Sequence, residues 1–396
     1  MKRILKWLGW LVLALLLALA VFVALNWTFV RNMSTGMGKK YAETAHLLPV
    51  QSVKGCGERP IPAATTAPIS AEKLAEMQAF SDKHFGLGLI VLVNGEVAYE
   101  RYAKGITPSS VTQSLSLNKS VTSLMTGVAL GDGTLKSIDT PVAPLLPEWT
   151  NAARQKISLR HLLSMSSGLH NYSMSQGDWP AMKMMLADDI EQTALTAKAE
   201  KAPGTEFKYK NGDAQIAGAV LRRAIANAHK GESYASYLSR TLWCGVGNGP
   251  ATLWSESETG APRFYAGLQA SLRDWARVGQ LVLDKGKVGE KQIVPATYIA
   301  EMATPSPANP RYGLFIWRGT PWAKKRPYSP EAGINAIHSA PYSADDVVFM
   351  DGYGGQRVYI VPSAKLIIAR LSEPDQKFDD APLVNLALAG LQALPK

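Results

Sequence analysis

Cysteine is nearly absent: two residues in 396, Cys56 and Cys244. That excludes a disulfide-built scaffold. With only six histidines and no C-x-x-C or clustered His spacing, no metal site is expected either. Charge is also sparse, at 19% of residues against 46% hydrophobic, which excludes a largely disordered chain. No self-similar period is present, which excludes a solenoid. Long basic runs are lacking too. The longest is Lys324-Lys325-Arg326, and four of the basic residues behind the net charge of +10 (Lys2, Arg3, Lys6, Arg31) lie in or beside the N-terminal apolar segment. A nucleic-acid partner is therefore not expected.

What the chain does have is one long apolar run. Leu8 to Leu25 is 18 residues without a charge, about 27 Å as a helix and close to the thickness of a bilayer core. Trp7, Trp10 and Trp27 stand near its ends, where indoles favour the interface. A cleaved signal peptide is the competing reading, with small-x-small at Ala18-Leu19-Ala20. The apolar run continues through Val21-Phe22-Val23-Ala24-Leu25, however, which favours an uncleaved anchor. Lys2, Arg3 and Lys6 on one side nearly balance Arg31, Lys39 and Lys40 on the other. The tighter N-terminal cluster plus the free amine tips that end inward. The expectation is a single-pass inner-membrane protein with a periplasmic or extracytoplasmic body, where Cys56 and Cys244 either pair or remain two free thiols. Pairing would be worth roughly 4–5 kcal/mol in the chain-entropy picture.

The organisation expected is 1–31 as anchor (or signal peptide), 32–70 as a Gly- and Pro-containing linker, and 71–396 as the body. A helix should start after Ser70 and run to about His84. Leu87–Val93 and Glu96–Tyr102, joined by Asn94-Gly95, read as a hairpin. Residues 115–300 read as mainly helical. Asp346–Met350, Arg357–Val361 and Leu366–Leu371 read as strands, followed by a helix over Pro382–Leu394. The fold class expected is α+β: an antiparallel sheet built from both ends of the body, flanked by helices and carrying a large helical insertion.

Three segments carry residues suited to chemistry. In Ser116-Leu117-Asn118-Lys119, helical spacing puts Ser116 and Lys119 on one face. A serine at a helix N-terminus sits in positive potential, and a desolvated lysine can take its proton. In Tyr209-Lys210-Asn211, extended backbone points Tyr209 and Asn211 the same way. In Gly352-Tyr353-Gly354-Gly355-Gln356, glycines allow close backbone approach and expose N–H groups to an oxyanion. Each pattern alone also suits an ordinary cap, loop or hairpin turn. His161 and His170 read as structural.

Taken in this order, with Ser158-Leu159-Arg160-His161-Leu162-Leu163-Ser164-Met165-Ser166-Ser167-Gly168-Leu169 between the first two and Pro203-Gly204-Thr205 before the second, the chain resembles the serine β-lactamase-like hydrolases. Within them it is similar to class C β-lactamases, DD-peptidases, family VIII esterases and 6-aminohexanoate-dimer hydrolases. The resemblance implies Ser116 as acylated nucleophile, with Lys119 and Tyr209 handling its proton and Asn211 positioning lysine and substrate. It places the oxyanion hole at the Ser116 amide plus one from the Tyr353–Gln356 segment, that of Gln356, with Tyr353 and Gly355 lining the substrate. No cofactor is implied. Where the lactamase and peptidase branches carry Lys-Thr-Gly or His-Thr-Gly, this chain has Tyr353-Gly354-Gly355, without a cation for a substrate carboxylate unless Arg357 supplies one. The expected substrate is a small ester or amide, or a peptide. A DD-peptidase or β-lactamase-like activity is the first alternative and a non-catalytic cell-wall binding module the second.

Overall fold

The computed structural model describes residues 2–36, 39–44, 47–173, 176–187, 189–328 and 335–392. Its centre is a six-stranded antiparallel sheet. The strands follow the spatial order Glu96–Tyr102, Gly86–Val93, Leu366–Ser372, Gln356–Val361, Val348–Gly352, Trp317–Arg318. The first hairpin turns at Asn94 (φ 53°) and Gly95 (φ 80°), the pair of left-handed residues that a two-residue turn between twisted strands requires. Leu366 then pairs with Val93 and Arg370 with Leu89, so the two ends of the body meet at mid-sheet. The strand Leu366–Ser372 is buried along its whole length, with a strand on each edge and the helix Leu272–Leu283 packed on it. Gly279 of the helix Leu272–Leu283 lies so close to this sheet that a Cβ there would come 2.7 Å from Val358. The helices Ala71–Lys83 and Ala381–Gly390 also pack together against the body.

The helical insertion is built on Leu117–Gly131, in which every residue from Leu117 to Ala129 is buried. Asn211–Ala228 packs beside it, with Ile216, Val220 and Leu221 in the shared core. Buried on every side, with Asn118, Ser120 and Ser123 hydrogen-bonded to the surrounding body, the helix Leu117–Gly131 serves as a fixed post.

Three expectations need correction. The stretch 32–70 is not a free linker. Val50–Val53 forms the edge of a second, four-stranded sheet with Ala251–Trp254, Leu268–Ala270 and Thr112–Gln113. Two of those strands lie inside the region read as mainly helical. They are short runs whose outer partners are distant, Val50–Val53 for Ala251–Trp254 and Thr112–Gln113 for Leu268–Ala270, and pattern reading weighs local periodicity only. Cys56 is bonded to Cys244 across a separation of 188 residues, which ties the same stretch to the body a second time. Upstream, the helix Lys2–Leu25 contains one apolar segment long enough to cross a membrane, Arg3–Leu25. A second helix, Trp27–Gly36, follows at once and buries Phe29 and Asn32. The terminal helix ends at Gly390 rather than Leu394, and residues 393–396 lie outside the described residues.

Candidate active site

Leu115 holds a left-handed backbone (φ 48°), a conformation that costs a non-glycine residue on the order of 1 kcal/mol. It turns the chain sharply from the short strand Thr112–Gln113 into the buried helix. Ser116 therefore stands at the N-cap, and its hydroxyl does not cap the helix. It instead accepts a hydrogen bond from Lys119 Nζ at 2.7 Å, one turn on. Lys119 also donates to Asn211 Oδ1 at 2.9 Å and to the Tyr265 carbonyl at 3.0 Å. The lysine is 1% exposed. Burial disfavours its charged form and pulls its pKa down to about 7, with the nearby Asp351 carboxylate pulling partly back up.

Tyr209 closes the other side. Lys119 Nζ lies 4.8 Å from its ring centre, and the Ser116 hydroxyl is close enough to pull the phenol's pKa slightly down. Burial, then the Asp351 charge, holds the phenol well above its ordinary pKa, so it stays protonated. Trp317 stacks on its ring at 5.8 Å and Tyr328 packs at 5.3 Å. The Tyr209 amide donates to the Tyr328 carbonyl at 3.0 Å. Tyr209 and Asn211 thus reach the same cleft from one extended-to-helix junction, while the intervening Lys210 points away. Its ammonium donates to Ser167 Oγ at 2.9 Å and to the Leu169 carbonyl at 3.1 Å, and pairs with Asp213 at 3.3 Å. Ser167 donates in turn to Asp213 at 2.6 Å. Lys210 and Asp213 are almost wholly buried, and burial raises the Asp213 pKa against the pull of Lys210.

The structure brings Ser116, Lys119, Tyr209 and Asn211 together. In the glycine segment the Tyr353 and Gln356 side chains are engaged with their neighbours, which leaves the backbone amides as the groups the segment can offer. Gly354 (φ 77°) and Gly355 (φ 95°) form a tight turn in which Gly355 packs against Arg370 and Phe378. Tyr353 accepts a hydrogen bond from Gln376, and the Gln356 side chain is spent on the backbone of Ser372. The residue of this segment that abuts the serine turn is Gly352, whose Cβ, if present, would lie 2.5 Å from the Ser114 carbonyl. Arg357 is fully committed, pairing with Asp351 at 2.6 Å and Asp380 at 2.7 Å and donating to the Gly352 carbonyl at 2.8 Å. Arg326 bridges the same two carboxylates at 2.7 and 2.9 Å. His161 caps its own helix through Ser158, and His170 pairs with Glu200 at 2.7 Å.

Sequence reasoning missed three groups: the Asp351–Asp380–Arg326–Arg357 cluster, the Lys210–Asp213–Ser167 cluster and the Tyr265 carbonyl. Only Lys210 had a signal, since the middle residue of an extended Tyr-x-Asn must face away from the cleft. Among the described residues no group of His, Cys, Asp and Glu is arranged to hold a metal.

The antiparallel sheet joined from both ends of the chain, the helical insertion and a serine facing a buried lysine from one turn away define the β-lactamase/transpeptidase-like fold. The chain belongs to the Beta-lactamase family, whose profile matches residues 71–391, and is a β-lactamase-related serine hydrolase. It is 22% identical over 278 residues, 65% of this chain and 68% of the relative, to the 6-aminohexanoate-dimer hydrolase of Paenarthrobacter ureafaciens. Among solved structures it is similar to a Bacillus anthracis protein provisionally named 6-aminohexanoate-dimer hydrolase (TM-score 0.67, 21% identity, 85% of this chain and 89% of that one). It is also similar to a family VIII carboxylesterase (TM-score 0.58, 17% identity, 83% and 98%).

Proposed function

We propose that the chain cleaves a small ester or amide through an acyl-enzyme on Ser116, and that the reaction takes place outside the cytoplasm on a body held by the N-terminal helix. The observation that carries the chemistry is Lys119: buried, hydrogen-bonded to Ser116, and about half neutral near pH 7. Neutral Lys119 takes the Ser116 proton as Oγ attacks the carbonyl carbon. The carbonyl π pair moves onto oxygen, where the Ser116 amide and a second amide from the Gly352–Gln356 turn stabilise the charge. As the tetrahedral intermediate collapses, the leaving oxygen or nitrogen receives a proton through the Tyr209 phenol, which is re-protonated by Lys119. Water then repeats the sequence on the acyl-enzyme and frees the acid.

Esters and amides are favoured over β-lactams and D-alanyl peptides because Arg357, the cation nearest in sequence to the third motif, is 3% exposed and spent on two aspartates. A substrate carboxylate would find no guanidinium there. A disulfide between Cys56 and Cys244 fits an oxidising compartment.

The test is labelling by a fluorophosphonate together with turnover of p-nitrophenyl acyl esters, for wild type, Ser116→Ala and Tyr209→Phe. Labelling and turnover should vanish in Ser116→Ala and fall at least tenfold in Tyr209→Phe. A folded wild type that neither labels nor turns over would refute the reading.

A further inference from the structure

The short helix Trp179–Leu186 is a membrane-contacting face, we infer: it rests on the surface of the same phospholipid bilayer that the N-terminal helix crosses. This builds on the anchor reading above and adds a contact that the anchor alone does not require.

The depth of one residue decides it. Phe22 stands three residues before the end of the helix Lys2–Leu25, about 4.5 Å along its axis. The uncharged run Leu8–Leu25 spans about 27 Å, close to a hydrocarbon core of about 30 Å, so Phe22, less than one turn from its end, lies within about 5 Å of the core's edge. Trp179 of the body packs on Phe22 with ring centres 5.7 Å apart, and on Phe29 at 4.9 Å. A ring in contact with Phe22 sits at the depth of Phe22. The start of the Trp179–Leu186 helix is therefore held at the boundary between hydrocarbon and headgroups, where tryptophan is favoured.

The rest of that helix suits the same place. Ala181 and Met184 face inward and are buried, whereas Trp179, Met182, Met185 and Leu186 recur at three- and four-residue spacing on the outer side. Met185 is 43% exposed. A helix of eight residues with an apolar outer stripe, beginning at the edge of the hydrocarbon, is an interfacial element in miniature. Its position is fixed from the other side by Asn32, whose amide donates to the Leu186 carbonyl at 2.7 Å. Its inner face is joined to the active site: the Tyr265 hydroxyl donates to the Met184 carbonyl, and the Tyr265 carbonyl accepts from Lys119. One residue thus separates the catalytic lysine from a helix that touches lipid.

Both cysteines are in the disulfide, so a single introduced cysteine can be labelled cleanly. Full-length Met185→Cys and Lys291→Cys, the latter on the exposed turn Lys287–Gln292, would carry a nitrobenzoxadiazole dye. Each would be reconstituted into phosphatidylcholine/phosphatidylglycerol vesicles containing a headgroup-level nitroxide lipid. The dye at 185 should be quenched at least threefold more than the dye at 291 and should emit at shorter wavelength. Equal weak quenching at both positions, in protein that resists carbonate extraction, would overturn the lipid contact and leave the anchor intact. Protein released by carbonate would overturn the anchor and this inference with it, while esterase turnover in the same sample reports separately on the chemistry. Met182→Glu with Met185→Glu should leave turnover of a water-soluble short-chain ester within twofold and raise the vesicle accessibility of helix Trp179–Leu186 to soluble protease. Unchanged accessibility would count against the contact.

Discussion

Replacing Lys119 by methionine should make the protein more stable and remove one specific dependence of stability on pH. In the folded protein burial brings the lysine down to about 7, against an ordinary value of 10.5. Between those two values the unfolded chain holds a proton that the folded one does not, so unfolding free energy rises with pH by about 1.4 kcal/mol per unit. The gain between pH 7 and pH 9 is about 2 kcal/mol, and below about pH 6 the contribution is flat because both states are protonated. Methionine fills similar volume without titrating. It deprives Asn211 and the Tyr265 carbonyl of a donor, but that loss is independent of pH. The assay is urea unfolding of full-length wild type and Lys119→Met in detergent, followed by tryptophan fluorescence at half-unit steps from pH 5.5 to 9. Subtracting one curve from the other cancels every other titrating group. The difference should be constant up to about pH 6.5 and then shrink by about 2 kcal/mol by pH 9, with no activity in the variant. Parallel curves across pH 7–9 would refute the argument that a depressed lysine serves as the base.

Three further outcomes follow from particular contacts. Lys210→Met leaves Asp213 buried without its partner and should cost about 3–5 kcal/mol, whereas Lys210→Met with Asp213→Leu should recover most of it in a denaturation cycle. Gly352→Ala puts a methyl 2.5 Å from the Ser114 carbonyl. The strand end must shift from the serine turn, and kcat/KM should fall on the order of a hundredfold with little change in thermal midpoint. Cys56→Ser with Cys244→Ser opens a loop of 188 residues and should lower unfolding free energy by up to about 5 kcal/mol, read by urea midpoint against wild type under oxidising conditions.

The parts of the fold legible in the sequence were those whose cause is local. Asn94-Gly95 announced its hairpin because few other pairs tolerate two left-handed residues in a row. The serine and lysine met because helix geometry alone sets a three-residue offset, and Tyr209 and Asn211 shared a cleft through the alternation of extended backbone. Long-range pairing was not legible. Val50–Val53 is an ordinary four-residue run that becomes a strand only because Ala251–Trp254 lies beside it. Asp351, Asp380, Arg326 and Arg357 look like scattered surface charges in sequence, and only the convergence of three strands and a helix start reveals a buried quartet. Tyr353 was read as a substrate-lining side chain for the same reason. Nothing in Tyr353-Gly354-Gly355-Gln356 tells which residue of a turn faces inward.

On the anchoring proposed above, the Cys56–Cys244 bond also decides how the body would be shed from a membrane. The chain re-enters the body as a paired strand at Val50 and is stapled at Cys56. A protease that cuts before Val50 would sever the covalent link to the proposed anchor, leaving only non-covalent contacts such as Phe29 on Trp179 and Asn32 on Leu186 to hold the body there. A cut between Gly57 and Ser70 breaks the main chain but leaves the body covalently attached through sulfur, so that release then depends on a reductant.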